Sequence, residues 1–435
     1  MKIVLNTLGF PILLLFLLLT PFVQAADCID GPQVNGGVFR ICMPPLSEYN
    51  GRLVIWAHGF QDAGTPVEIP EDQLQIGGLY LPDLITNLGF AFATNSYRKT
   101  GLAIAQGSED IVDLVEVFIA EQGQPIQTYV IGASEGGIIT ALLAEQRPDL
   151  FGAALAACGP IGSFPGQIAY FGDARVLFEV CFPGLIPGGP FDPLPGVVDN
   201  WQSFYETEVK PVVFDPANRS LLDQFVTTAK LPFDSGSEQE YLTTVEISVA
   251  DVLRYAVLNL GDAANTLGGF PYGNLYRWFS GSQNDALLNA LVGATGGRVA
   301  ADPVALAEMR SSRYSTSGQL DIPLVTPHTT RDQQVPYWHE PLYALKTLRA
   351  GDLLTNHFPL RIDRFGHCNF TLGEALAGFI LMLDRAGELG LLTGVGAQLN
   401  EADLLRFEAL ARDHGLEYQI EGTRLRYRIN EPLEP

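Results

Sequence analysis

Positive charge is what this chain has least of. It carries 26 Lys and Arg against 49 Asp and Glu, a formal net charge of −23. An excess this large repels nucleic acid and anionic lipid headgroups, so neither is an expected partner. Charged residues of both signs make up only 17% of the chain while 47% is hydrophobic. That excludes a self-repelling disordered polymer and supplies the apolar surface of a full core. Cysteine numbers five and histidine six, and no C-x-x-C or H-E-x-x-H spacing occurs. Neither a metal centre nor a cofactor is therefore expected.

Long hydrophobic runs are missing too, apart from one at the start. Lys2 precedes an unbroken apolar run from Ile12 to Leu19, followed by Pro21 and Val23-Gln24-Ala25. A charged n-region, an apolar h-region and a small-residue cleavage site predict a secretory signal peptide over residues 1–25. The run is short for a bilayer span, and Asp27 before Cys28 does not make a lipid-attachment box. The mature protein is expected to be secreted or periplasmic, free of the membrane, with a net charge of −24 (25 basic against 49 acidic residues). All five cysteines lie beyond the leader, where disulfides form. The expected pairs are Cys28–Cys42 and Cys158–Cys181, each closing a short loop, with Cys368 free or paired elsewhere.

The stretch from Thr128 to Ile139 organises the rest. It reads as a buried strand, a sharp turn with Ser134 at its apex, and a helix whose apolar residues Ile138, Ile139, Leu142 and Leu143 follow at helical spacing. Gly132 and Gly136 flank Ser134 in a G-x-S-x-G pattern. Residues this small let the backbone at the serine pass between strand and helix without collision, which makes Ser134 a candidate nucleophile. Upstream, Arg52 to Ala57 is a continuous apolar run, as in a strand buried on both faces. It ends in His58-Gly59-Phe60, where a backbone N–H could approach a substrate closely. Gly89 to Asn95 predicts another strand. Ser108 then predicts the cap of a helix through Ile111, Leu114, Val115 and Phe118 that ends at Gly123. Ala153 to Ala157 predicts the strand after the turn, and this alternation is that of a parallel sheet covered by helices.

From residue 161 to 319 the sheet pattern stops. A Pro- and Gly-rich segment (182–197) is followed by helical runs near 248–260, 285–292 and 303–310, which predicts a mainly helical cap inserted in an α/β sheet. Phe164, Tyr170, Phe171, Trp201, Phe270, Tyr272, Tyr276 and Trp278 serve as cap core or as substrate walls. Strands resume at Ile322–Thr326 and Phe358–Ile362, each leading to a polar turn: Asp332-Gln333-Gln334-Val335-Pro336 after the first, Asp363-Arg364-Phe365-Gly366-His367-Cys368 after the second. The 435 residues thus divide into a leader (1–25), a first core part (26–160), the cap (161–319), a second core part (320–387) and a tail (388–435). The tail is predicted to hold a helix over Glu401–His414 and a hairpin of Glu417–Ile420 with Leu425–Ile429.

Ser134, Asp332 and His367 follow one another in the chain order of a Ser-acid-His triad, each after an apolar strand. The histidine would take the serine proton, and the aspartate would orient and stabilise the imidazolium. His328 and His339 compete for the role of base. With these residues and His58-Gly59, the segment from His58 to about Gly387 resembles the α/β-hydrolase superfamily, in particular its secreted esterase-like and peptidase-like members. The resemblance implies an acyl-serine mechanism and an oxyanion hole made by the backbone N–H of Glu135 and one from the Gly59–Phe60 segment. Tannase-like and feruloyl-esterase-like members place a cysteine before the serine and bridge it to one after the histidine. Here Ala133 stands before Ser134, so that bridge does not form although Cys368 follows His367.

A secreted serine hydrolase acting on a small-to-medium carboxylic ester leads this reading. A serine peptidase acting on short peptides is the alternative, favoured if Glu206, Glu208, Glu238 or Glu240 anchors a substrate amine. An inactive scaffold of the same fold used for binding is a third.

Overall fold

Runs of apolar residues with no polar partner face build the centre of the sheet. The computed structural model describes residues 25–352, 355–389, 405–406, 409–410, 412, 416–421 and 424–429. The expected leader up to Gln24 and most of the expected tail helix lie outside them. The strands are β1 (Asp27–Pro32), β2 (Val38–Met43), β3 (Arg52–Ala57), a short hairpin of β4 (Gln75–Ile76) and β5 (Leu79–Tyr80), β6 (Ala91–Asn95), β7 (Gln127–Ala133), β8 (Ala153–Ala157), β9 (Leu324–Arg331) and β10 (His357–Phe365). Eight of them form one sheet in the order β1-β2-β6-β3-β7-β8-β9-β10. β1, β2 and β6 pair antiparallel, and every pair from β6 to β10 is parallel. With the small hairpin set aside, the order is 1-2-4-3-5-6-7-8, that of the α/β-hydrolase sheet. A final hairpin pairs β11 (Leu416–Glu421) with β12 (Arg424–Ile429) antiparallel.

Helices cover both faces. On one side α1 (Leu81–Asn87) and, late in the chain, α13 (Leu372–Arg385) pack on Tyr129, Ile131, Leu155 and Ala157. α2 (Ile104–Gln122) and α3 (Glu135–Gln146) cover the other. α2 begins a turn earlier than its predicted cap. The Ser108 hydroxyl donates to the Ile104 carbonyl from inside the helix, a back-bond open to a mid-helix serine. Gly123, at φ 92°, ends the helix as its sequence position implies.

Between β8 and β9 the chain leaves the sheet for a helical segment. It comprises α4 (Phe164–Cys181), the short α5 (Pro195–Val198), α6 (Trp201–Phe204) and α7 (Lys210–Val213), then α8 (Arg219–Ala229), the 30-residue α9 (Glu238–Leu267), α10 (Asp285–Ala294) and α11 (Pro303–Met309). Trp201 and Tyr272 are buried in its interior, whereas Tyr276 is 98% and Trp278 63% exposed. α12 (His339–Ala350) makes the crossover from β9 to β10. A capping box of Thr371 and Glu374 starts α13 immediately after the turn that carries His367.

The cysteines depart from expectation. Cys28 pairs with Cys42, but Cys158 pairs with Cys368, and Cys181 is free and buried. Cys158 stands at the end of β8 with its N–H bonded to the Pro327 carbonyl, while Cys181 ends α4, 18 residues of helix away from the sheet. Loop length predicts Cys28–Cys42 but not the partner of Cys158, because the fold brings the Cα atoms of residues 158 and 368 to 5.5 Å across 210 positions.

Candidate active site

The turn at Ser134 is held open by absence of side chains. A Cβ on Gly136 would lie 1.9 Å from the Ala57 carbonyl oxygen, and one on Gly132 2.5 Å from that of Gly136. Ser134 itself sits at φ 59° and ψ −121°, backbone strain on the order of 1–3 kcal/mol that the packed surroundings must sustain. Its N–H bonds to the Ala157 carbonyl at 2.9 Å, which ties the turn to the end of β8.

Three side chains from three strand ends meet here. Ser134 Oγ lies 2.8 Å from His367 Nε2, and His367 Nδ1 lies 2.8 and 3.0 Å from Asp332 Oδ2 and Oδ1. Asp332 Oδ1 also accepts from the Gln334 and Val335 N–H groups at 2.9 and 2.8 Å. Burial opposes the charge of Asp332, yet His367 and His328 outweigh it and hold the carboxyl well below its usual range. The proton of Nδ1 thus faces an ionised acceptor and the lone pair of Nε2 faces the serine hydroxyl.

His58, His339 and His328 make other contacts. His58 stacks on Tyr97 at a 3.8 Å centroid distance, its Nδ1 lies 2.7 Å from the Gly59 carbonyl, and burial pushes its pKa down to about 4. It is a neutral anchor of the segment that follows. His339 Nδ1 accepts from the Gly162 and Ser163 N–H groups and its Nε2 donates to Gln167. His328, also buried, lies against Asp332, Glu340 and the Val335 carbonyl.

Around the Gly59–Phe60 segment the structure adds a residue that sequence reasoning missed. Gln73 accepts from the Gly59 N–H at 2.7 Å and donates to the Phe60 carbonyl at 3.2 Å. The Gly59 N–H is thereby engaged, which leaves Phe60 as the donor this segment can offer. The N–H of Glu135, the first residue of α3, has no acceptor within its own helix. Nothing in the local sequence of Gln73 marks it, since its role depends on a tertiary approach.

The acid turn is gripped by the helical insertion. Tyr170 donates to the Gln333 carbonyl and Gln167 to that of Gln334. Asp251 of α9 accepts from both glutamine side chains, and Tyr255 donates to Gln334. Glu206, Glu208, Glu238 and Glu240 are all exposed. Glu206 pairs with Lys210 and Glu238 with Arg219, and none of the four lines a cavity beside Ser134.

Two cavities meet at Ser134. The larger, ≈ 430 Å³, is lined by residues of the sheet and of helices α1 and α13, among them Leu84, Leu88, Ile131, Leu155, Leu376 and Phe379, and by His367. The smaller, ≈ 80 Å³, lies toward the insertion, walled by Phe164, Phe171 and Leu260 and by Glu135 and Asn259. Cys158, His367 and Cys368 form the metal-capable cluster found among the described residues, and its two sulfurs are joined to each other.

Strand order and the strand–turn–helix at Ser134 are those of the α/β-hydrolase fold. Residues 85–162, the stretch from α1 through the elbow to the end of β8, match the profile of the prolyl oligopeptidase family. No curated protein matches the chain. Solved structures that overlay on it include an acylaminoacyl peptidase from Pyrococcus horikoshii (11% identity, 87% of this chain and 44% of that one, TM-score 0.39). Others are the esterase Pf2001 of Pyrococcus furiosus (8%, 83% and 92%, 0.39) and brefeldin A esterase, a bacterial homologue of human hormone-sensitive lipase (13%, 89% and 77%, 0.37). The chain thus spans less than half the length of the acylaminoacyl peptidase.

Proposed function

We propose that the protein hydrolyses carboxylic esters with a sizeable apolar part, through an acyl-serine intermediate on Ser134. The observation that carries the reading is the apolar cavity of ≈ 430 Å³ opening at Ser134 and His367, a size in the range of small-molecule sites. Ser134 Oγ attacks the carbonyl carbon as its proton passes to His367 Nε2, and Asp332 stabilises the imidazolium. The N–H groups of Glu135 and Phe60 receive the oxyanion. Collapse breaks the carbon–oxygen bond to the alcohol, which takes the proton from His367. Water then attacks the acyl-serine with His367 again as base, releasing the acid and restoring Ser134.

Residues 161–319 act as a cap over this site, supported by the hydrogen bonds from α4 and α9 to the acid turn. A roof of this kind admits soluble esters and excludes polymers and folded proteins. Export behind a cleaved leader (1–25) is part of the proposal, with two disulfides in its favour. Among the described residues no helix is long and apolar enough to cross a membrane. The profile match at residues 85–162 favours a second reading, a peptidase for short peptides using the same three residues. Labelling by a fluorophosphonate probe, lost in Ser134→Ala, tests the nucleophile. Turnover of alkyl esters set against aminoacyl p-nitroanilides separates the two substrates. Faster cleavage of the anilides would replace the ester reading.

A further inference from the structure

Glu135 follows the elbow serine, and its side chain has a task distinct from its backbone N–H. It is 7% exposed. Oε1 accepts from the Ala103 N–H at 2.8 Å, while Oε2 is buried with no hydrogen-bond partner. Asn259 of α9 lines the same small cavity and has a buried Oδ1 that also lacks one. The remaining wall is largely apolar, with Leu102, Ile104, Ile168 and Ala263 beside the aromatic residues. An unpaired polar atom in such surroundings costs on the order of 1–3 kcal/mol. Both belong to residues that line one cavity beside Ser134.

We propose that this cavity is a subsite for a compact amine or hydroxyl on the acyl half of the substrate, held between Glu135 Oε2 and Asn259 Oδ1. The inference rests on the ester-hydrolase reading above and names its substrate more closely. The larger cavity includes His367 and the smaller does not. The leaving oxygen takes its proton from His367, so the apolar alcohol occupies the larger cavity and the acyl α-substituent faces the smaller one. A volume of ≈ 80 Å³ has room for two or three water-sized groups, about 30 Å³ each, which limits the acyl part to a short one. Burial pushes Glu135 up to about 8, so near neutrality its free oxygen carries a proton. A group that accepts from Glu135 and donates to Asn259 satisfies both oxygens at once. Hydroxyls and neutral amines do this, and an alkyl group of the same size does neither.

The test uses n-octyl esters of three near-isosteric acids, 2-methylpropionic, 2-hydroxypropionic and 2-aminopropionic. Wild-type kcat/KM for the hydroxy or the amino ester is expected to exceed that for the methyl ester by tenfold or more. Glu135→Leu and Asn259→Leu should each cut that ratio at least tenfold, and Glu135→Gln, which keeps an accepting and a donating atom, should retain most of it. Taking the ratio within one protein cancels any general loss through the neighbouring backbone, and comparing it between wild type and variant cancels the intrinsic reactivity of the esters. Loss of preference for the amino ester alone identifies an amine substrate, and for the hydroxy ester alone a hydroxy acid. Ratios unmoved in both leucine variants overturn the subsite. Calorimetric binding of the same esters to Ser134→Ala repeats the comparison without catalysis. Turnover that survives Ser134→Ala would instead count against the hydrolase reading, and the binding ratios would then decide for or against the subsite on their own.

Discussion

His328 Nε2 stands 3.6 Å from the same Asp332 Oδ2 that faces His367 Nδ1 at 2.8 Å. It also lies 2.8 Å from the Val335 carbonyl, and His328 Nδ1 is 3.3 Å from Glu340 Oε1. Both ring nitrogens face acceptors, which a neutral imidazole with one N–H cannot serve. Burial opposes the charge, but Asp332 and Glu340 outweigh it and raise the pKa to about 10. A fixed positive charge therefore backs the acid. His328→Gln removes it and loosens the acid turn, whose Val335 carbonyl the ring faces at 2.8 Å. We expect kcat to fall on the order of tenfold, about 1.4 kcal/mol, with KM little changed. A higher KM with kcat unchanged would reduce His328 to a packing role.

The same imidazolium links stability to pH. Its pKa is raised from the ordinary 6.5 to about 10, so its stabilisation is fully present below pH 6.5 and is lost as pH rises through 10. The advantage of the wild type over His328→Gln in denaturant unfolding should shrink across that window, by at most about 1.4 kcal/mol per pH unit. Subtracting the variant cancels Glu135, whose raised pKa acts in the same direction. A constant difference from pH 6.5 to 10 would show that His328 is neutral in the fold.

Ser134→Ala should lower kcat by about 10⁴ to 10⁶ with the melting temperature nearly unchanged. Asp332→Asn and His367→Ala should each lose most activity, and adding either to Ser134→Ala should cost little more, because the three act as one unit. Multiplying losses in the double variants would mean that the serine and the histidine work on separate steps.

Where the chain advertised its structure, it did so through local chemistry. The apolar runs of β3, β7 and β8 and the glycines around Ser134 need only their neighbours to be read, and they fixed the sheet and its elbow. Asp332 and His367 were legible because each follows a strand in a polar turn. Other features depend on approach in space. Gln73 sits in an unmarked turn and matters only where it meets Gly59. Cys158 finds Cys368 because β8 and the turn after β10 end side by side, which loop length does not encode. Glu135 read as an oxyanion donor by position, and only the packing of α9 reveals that its side chain lines a cavity.

The Cys158–Cys368 bond anchors the residue next to His367, where Cys368 stands at φ 48°. Mass mapping of the non-reduced protein should recover this link and Cys28–Cys42. Cys181 should resist alkylation in the native state, since burial pushes its thiol up to about 11. Cys158→Ser and Cys368→Ser should each lower kcat more than they raise KM, and the double variant should match either single one, as all three break one bond. Additive losses would assign the two sulfurs independent roles.

The apolar cavity makes a prediction about length. Each methylene of the alcohol that enters it gains about 0.8 kcal/mol, close to fourfold in kcat/KM if the gain is kept in the transition state. In a series of n-alkyl esters with a common acyl group, kcat/KM should climb with alcohol length and level off once the cavity is full. Leu84, buried on α1, lines it. Leu84→Ala opens room there, at a stability cost of about 2–5 kcal/mol, and should move the plateau to longer alcohols. Leu84→Trp fills the room and should move it to shorter ones, leaving ethyl esters turned over much as before. The two variants perturb packing in opposite senses, so a general weakening of the fold cannot mimic a plateau that shifts both ways. A length profile that is flat in the wild type, or identical in both variants, would mean that the alcohol does not enter this cavity.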